Sequence, residues 1–196
     1  TNGGGVGGLT YRAADDLAVC CDNGQAIAAK VAARLKLATS SLFALRALPS
    51  AGGAAPPLPT PCTVEQALRL HADLRAPVSK AMLLVLAEAC TDAAEASKLR
   101  ALAMPTGKQD YSDYIVRDGR GLADVLDECP SCAPSWALVL ELVTKLTPRY
   151  YTISSAPALD PSTVHLTVKV LREPMRGAPK REKLGVCSTQ LGTTSA

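Results

Sequence analysis

The residues on either side of Pro148 follow two different patterns, and this change limits most strongly how the chain can fold. From Thr63 to Lys145, apolar residues recur at helical spacing. Directly after Pro148, the stretch Arg149-Tyr150-Tyr151-Thr152-Ile153-Ser154-Ser155 has the composition of a strand, and Pro157 interrupts it. A long helical segment followed by strands is typical of α+β proteins.

The strand from Arg149 to Ser155 carries side chains that are suited to binding as well as to packing. A guanidinium group can bind a phosphate through two parallel hydrogen bonds. A tyrosine two positions later in a strand points in the same direction and can lie flat against a ring. Arg149 and Tyr151 have this spacing. The pattern is equally typical of an exposed sheet edge with incidental polar residues, and both interpretations stay open on these residues alone.

The segment from Thr63 to Lys145 predicts a series of helices separated by capping and breaking residues. Thr63-Val64-Glu65-Gln66 is a capping box, and Pro77 ends the helix that it opens. The predicted helices are Thr63–Leu74, Ser79–Cys90, one capped by Asp92 with Glu95 that buries Leu99 and Leu102, one with Tyr111, Tyr114 and Ile115 on one face, Gly121–Glu128 and Ser135–Lys145.

The residues before Thr63 predict a strand and a helix, followed by a loop. Asp22-Asn23 is a helix N-cap signal, and the apolar residues that follow recur every fourth position from Ile27. The predicted elements are a strand within Leu9–Cys20, a helix that ends near Leu37, a short strand at Leu42–Leu48 and a loop at Pro49–Pro61, where Pro and Gly prevent regular structure.

The last part of the chain predicts another strand, a basic loop and a helix start. Apolar residues alternate with polar ones in Val164–Val170, which predicts a half-buried strand with His165 on its solvated face. Arg172–Lys183 is interpreted as a solvated hairpin loop, with a basic surface for a partner as the alternative. Gly185-Val186-Cys187-Ser188 predicts a helix start whose backbone N–H groups can face an anion.

Charge and cysteine content exclude several classes of protein. A net charge of +3 and an aromatic content of 4% argue against nucleic-acid binding. The sequence has no apolar run long enough for a membrane span and no secretory signal pattern. The seven cysteines are irregularly spaced, which predicts reduced thiols. Cys129-Pro130-Ser131-Cys132 lacks a second ligand pair, so no metal site is predicted.

Several blocks, in order along the chain, resemble a known family. Besides Arg149–Ser155 and Gly185–Ser188, they are Tyr11–Val19, Pro59–Leu74 and Pro77–Lys80 with the apolar Leu83–Ala89 that follows. Together they resemble the FAD-binding domain and connecting helices of the diflavin reductases. The resemblance is strongest to NADPH–cytochrome P-450 reductase. The family also includes the sulfite reductase flavoprotein, methionine synthase reductase and the reductase region of nitric oxide synthase.

The resemblance implies roles for individual residues. Arg149 would hold a phosphate of FAD, and Tyr151 would stack on the isoalloxazine ring. The hydroxyl of Thr152 would lie beside the flavin N5, which makes Thr152 the expected catalytic residue. The other cofactor-binding residues that it implies are Ile153 and Ser154 on the same strand, Thr167 on the strand beside the flavin, and Gly185, Val186, Cys187 and Ser188 in the pyrophosphate loop.

The resemblance also implies a fold, namely an incomplete antiparallel β-barrel of the ferredoxin-reductase FAD-binding type with a large helical insertion. Residues 1–21 and 149–196 would belong to the barrel, and residues 22–148 to the insertion. The glycine-rich opening Thr1-Asn2-Gly3-Gly4-Gly5 favours a piece of a longer protein. The FMN-binding and NADPH-binding domains, which are the partners in this family, would then lie outside the chain.

The implied function is NADPH-dependent electron transfer through FAD and FMN to a haem protein such as cytochrome P-450. Without the NADPH-binding half, the chain alone is expected to be inactive. The expected location is the cytoplasmic side of the endoplasmic reticulum membrane, with any anchor outside this chain. The alternatives are another diflavin reductase type and a non-enzymatic helical docking module. The co-occurrence of Arg149, Tyr151 and Gly185 favours the flavoprotein.

Overall fold

The helices between the first and fourth strands enclose the main hydrophobic core. The computed structural model describes residues 10–46, 58–175 and 178–193, so most of the predicted Pro49–Pro61 loop lies outside the described residues. The helices are α1 (Gln25–Arg34), α2 (Val64–Gln66), α3 (Lys80–Glu88), α4 (Ala93–Ala103), α5 (Lys108–Tyr111), α6 (Leu122–Glu128), α7 (Trp136–Leu142) and α8 (Val186–Thr193). The strands are β1 (Asp16–Val19), β2 (Leu42–Phe43), β3 (Cys62–Thr63), β4 (Arg149–Thr152), β5 (Arg172–Met175) and β6 (Ala178–Leu184).

The predicted inward faces of the helices meet in this core. Leu83 and Leu86 of α3 and Leu99 of α4 are almost completely buried where these two helices pack together. Ile115, in the π-helical segment Ser112–Arg117 that follows α5, and Leu126 of α6 are buried in the same cluster. Each such side chain contributes about 1.5–3 kcal/mol through burial, so the helical part has enough apolar contact to form the stable body of the protein.

The predicted helix starts are confirmed by their hydrogen bonds. Gln66 N donates to Thr63 Oγ1 (3.1 Å) and Thr63 N donates to Gln66 Oε1 (2.9 Å), which completes the capping box. Ser79 Oγ accepts from Met82 N, and Asp92 Oδ1 accepts from the backbone N–H groups at the start of α4. These contacts satisfy donors that a helix cannot satisfy internally.

The N-cap prediction for Asp22-Asn23 is wrong, because neither side chain caps α1 and the Asn23 side chain binds the end of a different helix. The helix opened by Thr63 continues from α2 as a π-helical turn and ends at His71 rather than at Leu74. The side-chain amide of the buried Asn23 donates to the carbonyls of Leu68 (2.8 Å) and Ala72 (2.6 Å) at the end of that helix. Helix α1 begins after Gly24, which has a φ of 88° and makes no side-chain cap.

The strands form three two-stranded antiparallel sheets within the described residues. β1 pairs with β4, so that Leu17 lies opposite Tyr151 and Val19 lies opposite Arg149. β2 pairs with β3, and β5 pairs with β6. This mixture of helices and small sheets confirms the α+β class. A closed barrel is not formed by the described strands, and the barrel type stays a prediction.

Two predictions for the last part of the chain need correction. The predicted alternation of exposure holds from Val164 to Lys169 but not at Val170, which is exposed, and the backbone of this segment joins a sheet only through one bridge between Leu166 and Ile153. A ladder does not form there because no further described strand runs alongside it. Arg172–Lys183, predicted as a solvated hairpin loop, does form a hairpin, but most of its residues pair as strands β5 and β6. The hairpin is fixed by Arg181, which pairs with Asp124, Asp127 and Glu128 on α6.

A buried arginine organises the charged groups beneath the hairpin. Arg120 is 1% exposed, and its guanidinium lies 3.8 Å from the centre of the Tyr114 ring. It pairs with Asp118, which is also buried, and its Nε donates to Glu128 Oε1 at 3.0 Å. Buried charges need such partners because water no longer solvates them.

The cysteine pair of the CxxC sequence lies in the apolar core. Cys129 and Cys132 are each 1% exposed, and burial raises the pKa of the Cys129 thiol to about 11. All seven cysteines are free, and Cys20 is the exposed one. No group of His, Cys, Asp or Glu residues in the described ranges is placed to hold a metal ion. No helix among the described residues has the length and apolar character needed to cross a membrane.

Arg120→Ala should lower the free energy of unfolding by about 3–5 kcal/mol, because it removes the buried cation that pairs with buried Asp118 and one of the cations that pair with Glu128. Urea denaturation of both proteins measures the difference. Arg100→Ala, which removes an exposed pair with Glu88, is the matched control and should cost less than about 1 kcal/mol. Equal losses in the two variants would contradict a special role for the buried cation.

A thiol-reactive dye at pH 8 should label one cysteine of the native protein quickly, because Cys20 is exposed while Cys129 stays protonated below its pKa of about 11. Cys20→Ser should remove the fast phase, and urea should expose the remaining thiols. Fast labelling at Cys129 or Cys132 would show that this pair is accessible and reactive.

Candidate functional site

The two faces of strand β4 differ in exposure. Arg149 and Tyr151 are half-buried and share one face, as their spacing predicts, and Ile153 continues that face as a buried residue. Tyr150, which is 71% exposed, and Thr152 occupy the opposite face. Because successive strand side chains alternate, β4 separates a structured face from a solvated face.

The side chain of Arg149 is held in place by groups from the mostly helical segment between the paired strands β1 and β4, which corresponds to the predicted helical insertion. Its Nη2 donates to Asp73 Oδ2 at 3.1 Å, and its Nη1 donates to the Thr147 carbonyl (2.7 Å) and to Thr147 Oγ1 (2.9 Å). Asp73 is 7% exposed, whereas the Arg149 side chain is 41% exposed. A fixed and accessible guanidinium of this kind can bind an anionic group.

Tyr151 lies against the first turn of α8. It packs with Cys21, Leu146 and Cys187, which form a small apolar cluster. Burial and a hydrogen bond with the Cys187 thiol raise the pKa of Tyr151 to about 12, so its hydroxyl remains protonated at neutral pH. This contact joins the strand that carries Arg149 to the helix that Gly185 precedes.

Gly185 directly precedes α8, which confirms the predicted helix start. A Cβ atom at Gly185 would lie 2.4 Å from Ser188 Oγ and 3.1 Å from Leu171 Cβ, so the close approach of these groups requires glycine. Ser188 Oγ accepts a hydrogen bond from Leu171 N at 3.1 Å. Helix starts present backbone N–H groups and a partial positive charge.

Three of the predicted site residues lie away from this face. Thr152 Oγ1 donates to Asp16 Oδ1 (3.0 Å) across the β1–β4 pair, on the side opposite Tyr151. Ser154 Oγ donates to the His165 carbonyl at 3.1 Å. Thr167 is exposed beyond the Leu166 bridge. The structure therefore brings together Arg149, Tyr151 and the Gly185–Ser188 turn, and the roles of Thr152, Ser154 and Thr167 stay predictions.

A cleft of about 250 Å³ adjoins the first turn of α8. The loop before α1 forms one wall, and Val186 and Thr189 form part of the other. Gln190 joins the two walls, because its Oε1 accepts from Asp22 N at 2.8 Å. Thr189 Oγ1 and Arg75 Nε, from residues that line the cleft, are buried without a hydrogen-bond partner in the described part of the chain.

Comparisons with known proteins identify the family. The family model described as "FAD binding domain" matches residues 2–190. The chain belongs to the FAD-binding domain family of the diflavin reductases. It is 31% identical over 185 residues to NADPH–cytochrome P450 reductase of Drosophila melanogaster, which covers 93% of this chain and 27% of the relative. The same protein of Dictyostelium discoideum is 31% identical over 183 residues, with the same coverage.

Nitric oxide synthases are also relatives of this FAD-binding domain. The inducible enzyme of Bos taurus is 36% identical over 133 residues, which is 68% of this chain and 11% of the relative. The chain therefore spans between about a tenth and about a quarter of the length of these curated relatives. Family membership favours a flavin-binding protein over a helical docking module.

FAD is the cofactor of this family, and the residues at the site fit its parts. Its phosphates need cations and N–H donors, which Arg149 and the start of α8 provide. Its ring needs an aromatic or apolar surface, which half-buried Tyr151 provides.

Sequence reasoning missed the residues that support the site from the helical insertion. Asp73 positions Arg149, and Asp22 binds Gln190 of α8 across the cleft. Their partners lie far away in sequence, 76 residues for Asp73 and Arg149 and 168 for Asp22 and Gln190. A single charged residue just after a helix carried no local signal for such a contact.

Arg149→Met should weaken FAD binding about 10- to 100-fold, because it removes charged hydrogen bonds to a phosphate. Asp73→Asn should weaken binding less, because Arg149 keeps its charge but loses the carboxylate that orients it. Quenching of flavin fluorescence measures both affinities. Arg100→Met, on the exposed side of α4, is the control. Unchanged affinity in Arg149→Met would remove Arg149 from the site.

Proposed function

We propose that this chain is the FAD-binding and connecting portion of an NADPH-dependent reductase of the cytochrome P-450 reductase type. The observation that supports this type most is the extent of the similarity. The Drosophila P450 reductase matches 93% of the chain, whereas the bovine nitric oxide synthase matches 68%. A match of that extent includes the helical insertion as well as the blocks around Arg149 and Gly185.

The proposed electron path runs from NADPH through FAD to FMN and then to a haem protein such as cytochrome P-450. When bound, FAD supplies the chemistry, because it accepts a hydride and releases electrons singly. Arg149 and the first turn of α8 hold the phosphates, and Tyr151 supports the ring. In this proposal Thr152, whose hydroxyl donates to Asp16, would supply a hydroxyl to the reactive part of the flavin.

The helical insertion has a positioning role in this proposal. Asp73, two residues after the π-helical turn, holds Arg149, and α6 holds the β5–β6 hairpin that leads to Gly185. The insertion thus supports both halves of the flavin site and presents its outer surface to the FMN and NADPH domains. The cytoplasmic location and the endoplasmic reticulum anchor of the whole protein are part of the same proposal.

A reductase region of the nitric oxide synthase type is the second candidate. It is favoured by the higher identity, 36%, in the 133 residues that match the bovine enzyme. The two candidates share the FAD site and differ in the acceptor, so the FAD-binding domain by itself does not distinguish them.

The whole protein that contains this domain should retain FAD and reduce a haem protein when NADPH is added. Haem absorbance measures the reduction, and the Arg149→Met protein, in which FAD is held less tightly, should be slower unless excess FAD is added. Reduction of a separately supplied cytochrome P-450 supports the first candidate. Transfer confined to a haem domain of the same polypeptide supports the second. A purified protein without flavin that gains none from added FAD would overturn both.

A further inference from the structure

Arg75 is a cation without an ion-pair partner in the described ranges. It follows the helix that ends at His71 and lines the cleft beside α8. Its Nε is buried without a hydrogen-bond partner in the described part of the chain. Burial lowers the pKa of its guanidinium, partly opposed by the charges of Asp124 and Asp73. A buried donor without a partner costs about 1–3 kcal/mol, and more when it is charged.

The carboxylates around Arg75 are each engaged by a different arginine. Asp22 accepts from Arg69 Nε at 3.1 Å, and this contact lowers the pKa of Asp22. Asp73 pairs with Arg149, and Asp124 pairs with Arg181. The three carboxylates each have a partner of their own, so none of them forms an ion pair with Arg75.

Two more of the residues that line the cleft, Thr189 and Asn23, also have a buried polar atom without a hydrogen-bond partner within the described ranges. Thr189 Oγ1, from the first turn of α8, is buried without a partner in the described residues. Asn23 is 5% exposed, and its Oδ1 is likewise unpartnered although its amide nitrogen is fully used. Thr189 Oγ1 can donate to a bound molecule or water, and Asn23 Oδ1 can accept from one. The cleft is therefore a polar site with room for a ligand.

The backbone of Arg75 is tied to the residue that positions Arg149. Asp73 Oδ1 accepts from Arg75 N at 3.2 Å and from Ala76 N at 2.9 Å, while its Oδ2 accepts from Arg149. A Cβ atom at Gly121 would lie 2.8 Å from Arg75 Cα, so glycine there allows α6 to approach this turn closely. Arg75 and Arg149 thus lie on either side of one buried carboxylate.

We propose that Arg75 is a second arginine ligand of the FAD pyrophosphate, with its guanidinium bound to the phosphates in the cleft beside α8. This inference rests on the proposed FAD site and extends it from Arg149 and the helix start into the helical insertion. A pyrophosphate is the part of FAD that fits, because it alone carries charge that would neutralise Arg75 and oxygens that would accept from Thr189. Arg75 then couples occupancy of the cofactor site to the turn that follows the π-helical segment.

The experiment compares flavins with and without phosphates. FAD and riboflavin are titrated into the wild-type chain and into Arg75→Met, Arg75→Lys and the surface control Arg100→Met. Arg75→Met should weaken FAD binding about tenfold or more and leave riboflavin binding unchanged. Arg75→Lys keeps the charge but not the planar donor group, so its affinity for FAD should lie between those of the wild type and Arg75→Met. Urea denaturation of each variant confirms that it is folded.

A second measurement uses the wild-type protein and inorganic pyrophosphate. Because the Nε–H of Arg75 is buried, it should exchange slowly with solvent and give a side-chain ¹H–¹⁵N NMR signal. This signal should be absent from Arg75→Lys, and it should shift when pyrophosphate or FAD is added. This readout remains decisive if Arg75→Met fails to fold.

Three results would overturn the inference. FAD affinity equal in wild type and Arg75→Met would remove Arg75 from the site. Equal weakening of FAD and riboflavin would show a structural role that is independent of phosphate. An Arg75 signal that pyrophosphate and FAD leave unshifted would exclude the contact directly. In each of these cases FAD binding by the wild type leaves the proposed function intact, whereas a wild type that binds no FAD defeats both.

Discussion

The buried carboxylate of Asp73 is the contact on which the arrangement of the site depends. One oxygen fixes the turn that carries Arg75, and the other holds Arg149 on strand β4. The backbone N–H of Asp73 also donates to the carbonyl of Thr144, shortly before β4, at 2.7 Å. A single side chain thus joins the helical insertion to the strand that would bind the cofactor, and its desolvation is compensated by several donors at once.

A second set of charges performs the same task for the other half of the site. Arg120 neutralises Asp118 and Glu128 inside the helical part, and Arg181 reaches from strand β6 to the acidic face of α6. The β5–β6 hairpin leads directly to Gly185 and α8. The turn at Gly185 is therefore positioned by ionic contacts to the insertion as well as by its own glycine. Contacts of this kind depend on geometry, because each desolvated charge is costly if its partner moves.

Local chemistry made part of this structure predictable from sequence. The caps at Thr63, Ser79 and Asp92 depend only on residues within one turn, and the structure has all of them. The pairing of Leu166, the side-chain role of Asn23 and the partners of Asp73 depend on residues far away along the chain. At Asn23 the local capping preference was overridden by carbonyls that a π-helical turn left unsatisfied. Spacing alone placed Arg149 and Tyr151 on one face, but their surroundings come from tertiary contacts.

The hydrogen bond between Asp22 and Gln190 spans 168 residues and brings the loop before α1 against α8. Closing so long a loop costs more entropy than closing a short one, and contacts of high sequence separation slow folding. During synthesis the helical core can assemble while α8 is still being made, but the cleft cannot. The order of the elements along the chain therefore lets the helical core fold first, and the cleft beside α8 forms only after α8 has been synthesised.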